Sequence, residues 1–285
     1  MRLRSPLFAP GDSERKMTKA IASAADAIIL DLEDSVAAPA KPTARAMVPD
    51  VVRAHPDRDL IVRVNPSGTQ WYLEDLAAVV PARPRAIALP KCSGPDDLLA
   101  LNHHLEALEA AAGAPVGRIG VFAIVTETAG SVFMLGHYAD VASRLVGICF
   151  GAEDLSADLG ISPRHPDGSY PAPVVLARAQ VLVAAGALGV PAIDTPYPDH
   201  SDPTGLRHEA EAAAADGFAG KILIHPAQIE VVNATFTPPP EQVRWAERVN
   251  AAFTANPDSG VFALDGKMID RPHWKLAQRI LAAAH

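Results

Sequence analysis

Acidic residues in this chain recur at the ends of short apolar runs. Asp31-Leu32-Glu33-Asp34 closes the run Ala27–Leu32, Glu127 follows Ile119–Val125, Asp154 follows Leu145–Phe150, and Asp194 lies in Ala192–Thr195. Basic residues stand at two other run ends, Arg63 in Arg-Val-Asn and Lys91 in Leu-Pro-Lys. If the runs are neighbouring strands, these carboxylates converge, and like charges gathered in one place repel unless a cation joins them. Oxygen donors with no Cys/His set favour a hard octahedral cation, Mg²⁺ before Ca²⁺, held by one or two carboxylates. Glu127 and Asp154, on successive runs, suit that role. Other readings stand beside this one. Asp31, Glu33 and Asp34 are also the residue types that cap helix N-termini. Arg63 could pair with one of them, although burying an arginine at a strand end is costly without a task for it. Lys91 could serve as a Schiff-base amine, which needs no metal, but Pro90 and the surrounding acids argue against that. His225, at the last run end, reads as a structural hydrogen-bond partner.

The elements that must position these residues follow from the runs themselves. There are eight: Pro6–Ala9, Ala27–Leu32, Leu60–Val64, Ala86–Leu89, Ile119–Val125, Leu145–Phe150, Ala192–Thr195 and Lys221–Ile224. Most are continuously apolar, the mark of parallel strands covered on both faces. Helical segments separate them, among them Ser13–Ala25, Pro42–Ala54, Trp71–Val80, Pro95–Ala112, Val174–Leu188 and Thr204–Ala215, with Gly189 and Gly217 as stops. Eight strand–helix alternations predict an α/β fold, a (β/α)₈ TIM barrel, over residues 1–234. A doubly wound open sheet fits less well, because no Gly-x-Gly-x-x-Gly turn follows a strand. In a barrel the catalytic groups gather at the C-terminal strand ends, where these acids stand. Thr235–Pro240 (TFTPPP) reads as a linker. Beyond it, residues 235–285 form a C-terminal helical extension: a helix over Glu241–Ala255, a loop over Asn256–Gly260, and a last segment, Val261–His285. The extension is expected to pack on the barrel or on a neighbouring subunit.

Composition bounds the rest. The 285 residues are 49% apolar with a net charge of −8, enough for one large core and the wrong sign for non-specific nucleic-acid binding. Cys92 and Cys149 lack metal-ligand spacing and read as reduced structural thiols, which suits a cytoplasmic protein. The N-terminus has no apolar run long enough for a signal peptide, and no stretch approaches the ~18 apolar residues of a membrane span.

Nearly the whole chain, in order, resembles the citrate lyase beta-subunit-like branch of the HpcH/HpaI aldolase/citrate lyase superfamily. The stretches that carry the resemblance are LFAPGDSERKMTKA, AIILDLEDSVAAPAK, VRVNPSG, LPK, IVTETAG, FGAEDLSADLG, AIDTPY, GKILIHPAQI and GKMIDRPHWKLAQRIL. The resemblance implies a carbon–carbon lyase of the malyl-, citramalyl- or citryl-CoA type, in a homotrimer or a multiple of one. It implies Mg²⁺ on Glu127 and Asp154, oxo-acid oxygens on Arg63, and Asp34 with Glu33 beside the metal's waters. It implies an acid/base aspartate contributed by a neighbouring subunit, for which Asp270 is the matching residue. Asp270 also reads as the N-cap of a helix starting near Arg271-Pro272. Arg15, Lys16 and Lys19 are the candidates for coenzyme A phosphates. Two other readings are a metal-dependent aldolase on free 2-oxo acids and a non-catalytic binding module of the same fold. The intact set of Arg63, Glu127, Asp154 and Asp270 argues against the second. Pro66–Thr69, Ser156–Ser162 and Tyr197 are placed to choose the acyl group.

Overall fold

The computed structural model describes residues 1–257 and 260–284. Two residues of the expected 256–260 loop, Asp258 and Ser259, and the terminal His285 lie outside them. Strands and helices alternate: β1 (Pro6–Pro10), α1 (Glu14–Ile21), β2 (Ala27–Asp31), α2 (Lys41–Ala54), β3 (Leu60–Arg63), α3 (Tyr72–Val79), β4 (Ala86–Leu89), α4 (Pro95–Ala111), β5 (Gly120–Ile124), α5 (Ala129–Val132), β6 (Leu145–Cys149), α6 (Ala152–Asp158), α7 (Ala172–Leu188), β7 (Ala192–Asp194), α8 (Pro203–Asp216), β8 (Gly220–Lys221) and α9 (Ile229–Thr235). Each strand pairs in parallel with the next. The ring closes where Leu223 bridges Leu7, with Leu223 N–H donating to Pro6 O (2.9 Å is the return bond, Phe8 N–H to Leu223 O). Closure depends on Gly220, where an added Cβ would stand 1.9 Å from Leu3 O. This is the predicted (β/α)₈ barrel.

The strands bury both faces, and successive residues enter different cores. Ala27, Ile29, Ile61, Ala86, Ala88, Phe122, Ile124, Cys149, Ile193 and Ile222 fill the barrel interior. Their neighbours Ile28, Leu30, Val62, Ile87, Leu89, Val121 and Ile148 pack outward against the helices. Burying each such Ile or Leu is worth about 1.5–3 kcal/mol. The phase of this alternation aims Asp31 and Arg63 inward and Asp194 and Lys221 outward.

Several expectations shift. Helix α1 ends at Ile21 rather than Ala25, because the Ser23 hydroxyl donates to Ala20 O (2.6 Å) and competes with the helical ladder. The short helices α5, α6 and α9 lie where no helix was expected. The extension is more than helical: between α10 (Pro240–Ala255) and α11 (Arg271–Ala284) runs an antiparallel hairpin, β9 (Val261–Leu264) and β10 (Lys267–Asp270). Its turn, Asp265-Gly266, has positive φ at both residues (53° and 74°), the two-residue geometry that Asp-Gly favours. The extension has a small core of its own around Phe253, which stacks on Trp274 with centroids 5.2 Å apart and meets Phe262 edge-on. Leu276, Ile280 and Ala283 of α11 line a groove of about 860 Å³ with Arg2, Pro191 and Ala219, residues that precede strands β1, β7 and β8. The extension therefore lies against the N-terminal end of the barrel. No helix among the described residues is long and apolar enough to cross a membrane.

Candidate active site at the C-terminal mouth of the barrel

Five consecutive strand ends, β2 to β6, build an acidic mouth. From β2 come Asp31 and, in the turn after it, Glu33 and Asp34. Asp31 is fully buried and accepts from the backbone N–H groups of Glu33 (2.9 Å) and Ser35 (3.0 Å), which fixes that turn. Inside the same turn, buried Lys41 donates to Leu32 O (2.9 Å), Glu33 O (3.0 Å) and Asn65 Oδ1 (2.6 Å). Asn65, of Arg-Val-Asn, donates in turn to Leu32 O and to Asp75. The backbone carrying Glu33 is thus held from both sides before any ligand arrives.

Arg63 ends β3 and forks onto Asp31, Nε to Oδ1 at 2.6 Å and Nη2 to Oδ2 at 2.7 Å, while its plane lies 4.4 Å from the Phe8 ring centre. Burial would raise the Asp31 pKa, but the guanidinium and the turn's donors hold it below the usual carboxylate range. The third nitrogen, Nη1, sits 2.9 Å from Glu33 Oε2 as an ion pair. That contact lacks hydrogen-bond alignment, so the buried Oε2 has no hydrogen-bond partner among the described residues. Burial raises the Glu33 pKa against the pull of Arg63 and Lys91, and Asp34 adds to the rise.

Glu127 follows β5 and is buried, with one oxygen accepting the Lys91 backbone N–H. Burial, reinforced by Glu33 and Asp154, pushes its pKa up to about 8 despite that bond. Gly151 makes room for it: a Cβ there would meet Glu127 Cγ at 2.8 Å. Asp154 sits in the first turn of α6, after β6, and is partly open to solvent. Lys91, just past β4, reaches Glu33 Oε1 at 2.5 Å, Asp34 Oδ2 at 3.5 Å and Asp154 Oδ1 at 3.6 Å. Burial alone would lower its pKa, but these acids raise it, so the amine stays protonated and unsuited to Schiff-base attack.

The structure thus brings Glu33, Asp34, Arg63, Glu127 and Asp154 together. It does not bring Asp270 there: this residue ends β10 on the extension, ahead of α11, and pairs with His273 Nδ1 at 2.5 Å. That pairing, and the His273 backbone, hold its pKa low. Arg15, Lys16 and Lys19 are exposed on α1, the helix that leaves the β1 end. The charge of Lys19 reaches His225, whose pKa falls through burial, then His200, then Lys19. His225 Nδ1 accepts from Ala227 N–H and caps the turn after β8, a structural part. Ser156 is buried and donates to Ala152 O, so it faces its own helix rather than a ligand. Sequence reasoning offered Asp31 a cap's role or, as one of three acids, a pairing with Arg63, and gave Lys41 no role. The signal was present for Asp31, an acid level with an arginine one strand away, but only pairing in register (Asp31 opposite Arg63) turns it into a contact.

Among the described residues no three His, Cys, Asp or Glu side chains stand ready as a metal cage. Glu127 and Asp154 still fit a cation that takes two carboxylates and fills its remaining positions with water or substrate oxygens. A buried carboxylate whose ionisation is opposed by its acidic neighbours is stabilised by such a charge.

A (β/α)₈ barrel with an acid-rich, arginine-bearing mouth defines the class of protein, a barrel scaffold whose charged groups lie at the end where such barrels carry their sites. The comparisons narrow it. Residues 4–226 match the model of the HpcH/HpaI aldolase/citrate lyase family, and the chain belongs to that family. It is 36% identical to citrate lyase subunit beta of Escherichia coli strain K12, over 99% of this chain and 93% of that one. It is 37% identical to a (3S)-malyl-CoA thioesterase of Cereibacter sphaeroides strain ATCC 17029 / ATH 2.4.9, over 99% and 94%. Among solved structures it resembles the protein CitE from Mycobacterium tuberculosis in complex with magnesium, acetoacetate and coenzyme A, with a TM-score of 0.76, 37% identity, and coverage of 99% and 97%.

Proposed function

We propose that this chain is a Mg²⁺-dependent carbon–carbon lyase acting on a 3-hydroxy-3-carboxyacyl thioester of coenzyme A, of the malyl, citramalyl or citryl type. The products are a 2-oxo acid and an acyl-CoA, and the reverse condensation uses the same groups. The observation that carries the proposal is the mouth itself, where Arg63, forked onto Asp31 and paired with Glu33, shares the C-terminal strand ends with Asp34, Glu127 and Asp154, and Lys91 links the last three to Glu33. The magnesium, oxo-acid and coenzyme A complexes of the M. tuberculosis relatives support it.

Glu127 and Asp154 hold the cation, which when bound supplies Lewis acidity and a template for the substrate's carboxylate and hydroxyl oxygens. Arg63 Nη1 donates to the oxo-acid half, and Asp31 keeps the guanidinium from turning. Glu33 Oε2, buried and without a donor, accepts the hydroxyl proton, and its raised pKa suits a general base. The O–H electron pair becomes the new C=O bond, the C2–C3 bond breaks, and its pair passes to the thioester as an enolate. Asp270 of a neighbouring copy takes up a proton from solvent and delivers it to the enolate carbon, which completes the acyl-CoA. In the condensing direction the same residue, held as a carboxylate by His273, removes that proton. This division between copies agrees with the position of the extension at the opposite end of its own barrel, and it requires an assembly, here a trimer or a multiple of one. Arg15, Lys16 and Lys19 flank the mouth for the coenzyme's phosphates.

The resemblance to a malyl-CoA thioesterase favours a second reading, in which thioester hydrolysis follows or replaces cleavage. One assay separates the readings. Purified protein with Mg²⁺ is given malyl-, citramalyl-, methylmalyl- and citryl-CoA, with oxo acid trapped as its hydrazone and free thiol followed in parallel. Oxo acid without thiol establishes the lyase, and thiol without oxo acid the thioesterase. Neither product, with no coenzyme A binding, returns the chain to the free oxo-acid aldolase or the binding module.

A further inference from the structure

The residue that touches most of the mouth's carboxylates is a cation. Lys91 turns into the left-handed region just after β4 (φ 49°), a conformation that side-chain-bearing residues adopt rarely. The turn aims its backbone N–H at Glu127 and sends its side chain toward the acids of β2 and β6. One residue thereby contacts Glu127, Glu33, Asp34 and Asp154, which come from three different strand ends. Its ammonium lies 3.6 Å from Asp154 while its amide fixes Glu127, the two carboxylates assigned to the metal above. A lysine ammonium and a divalent cation beside the same carboxylate repel each other. The Lys91 side chain is one-third exposed and Glu33 is 1.1 Å closer to the ammonium than Asp154 (2.5 against 3.6 Å), so the ammonium can leave Asp154 and keep its tighter partner.

We infer that Lys91 is a resident counter-ion of the metal site: its ammonium neutralises the carboxylates in the free protein and withdraws from Asp154 when Mg²⁺ enters, while its backbone N–H keeps Glu127 in place. The inference rests on the assignment of Glu127 and Asp154 to the metal. It makes Lys91 a positioning residue that weakens intrinsic metal affinity, so that the substrate's own oxygens are needed for tight binding.

The test is calorimetric titration of metal-stripped, full-length protein with Mg²⁺ and no substrate, for the wild type, Lys91→Met, Lys91→Arg and Glu127→Gln. Lys91→Met keeps the amide and removes the charge, and its Kd for Mg²⁺ is expected to fall ten-fold or more. Lys91→Arg keeps the charge and is expected to stay at or above the wild-type Kd. Lys91→Gln replaces the Met variant if that protein does not fold. An unchanged or weaker Kd in the Met and Gln variants overturns the inference and leaves the metal assignment standing. Mg²⁺ binding by Glu127→Gln equal to that of the wild type, or no binding by any of the proteins, overturns the metal assignment and the inference with it.

Discussion

Two clusters of acids, each built on a fully buried aspartate that ends a strand, Asp194 and Asp31, face opposite ways in this barrel. In the wall between β7, β8 and their helices, Asp194, Glu209 and Asp216 meet Lys221, Arg178 and Arg164. Lys221, fully buried, donates to Asp194 (2.8 Å) and Glu209 (2.6 Å), Arg178 pairs with Asp194 and Asp216, and Arg164 reaches Glu209 at 2.6 Å. Three cations answer three carboxylates. At the mouth, five acids, Asp31, Glu33, Asp34, Glu127 and Asp154, face three cations among the described residues, Arg63, Lys91 and Lys41 inside the β2 turn. A balanced cluster has spent its charge on the fold. An unbalanced one retains negative potential that a ligand cation and an arginine-seeking acid can use, and there a buried carboxylate titrates as high as about 8. Strand-end position does not separate the two. Charge balance and side-chain direction do.

The contrast can be broken by single substitutions. Glu127→Gln keeps an acceptor for the Lys91 amide and removes the charge. It is expected to cost about 10³-fold or more in Mg²⁺-dependent turnover, with the metal-free protein at least as stable as the wild type. Denaturant melts and steady-state rates measure both, and full turnover in this variant would erase the functional side of the contrast. Lys221→Met should do the reverse. Leaving Asp194 and Glu209 short of a partner in a dry wall is expected to cost about 3 kcal/mol or more of stability, while kcat at a permissive temperature stays near wild type. A drop in kcat without a drop in stability would mean that the wall also serves the chemistry.

Asp270→Asn tests the part of the proposal that lies outside the mouth. Turnover is expected to fall about 10²-fold with the Mg²⁺ Kd unchanged, and mixing this variant with a mouth-inactivated chain should restore activity only if subunits share sites. If the melting temperature falls instead and turnover holds, its pairing with His273 ahead of α11 is its whole role. The smallest effect concerns pH. Metal-free folded protein holds a proton on Glu127 up to about 8, whereas the unfolded chain releases it near 4.5. Its contribution to stability is therefore full below about 4.5 and is lost as pH rises toward 8. The difference in melting temperature between wild type and Glu127→Gln, in the presence of chelator, should shift by a few degrees across that window and flatten when Mg²⁺ is present.

The sequence by itself determined the barrel and much of the mouth. Parallel strands buried on both faces must read as apolar runs, so eight runs with helices between them leave few architectures. The same runs display the acids that end them, which is why Glu33, Glu127 and Asp154 were visible. Continuous runs hide one thing, the phase of the strand. An alternating strand announces which residues face the core, but Ala27–Asp31 and Ala192–Asp194 are apolar throughout, and each ends in an aspartate. Only the closed barrel shows that Asp31 points in, to orient Arg63, and Asp194 points out, to neutralise Lys221 and Arg178. The place of Lys91 was hidden for a related reason, since its reach to three strand ends depends on a left-handed turn and on the curvature of the barrel wall, which brings the ends of β2 and β6 within reach of β4. The hairpin at Asp265-Gly266 was missed in an extension expected to be helical, although Asp-Gly is a hairpin turn signal, and where the extension docks could not be read, because docking at the N-terminal end of the barrel is set by surfaces that the folded barrel alone creates.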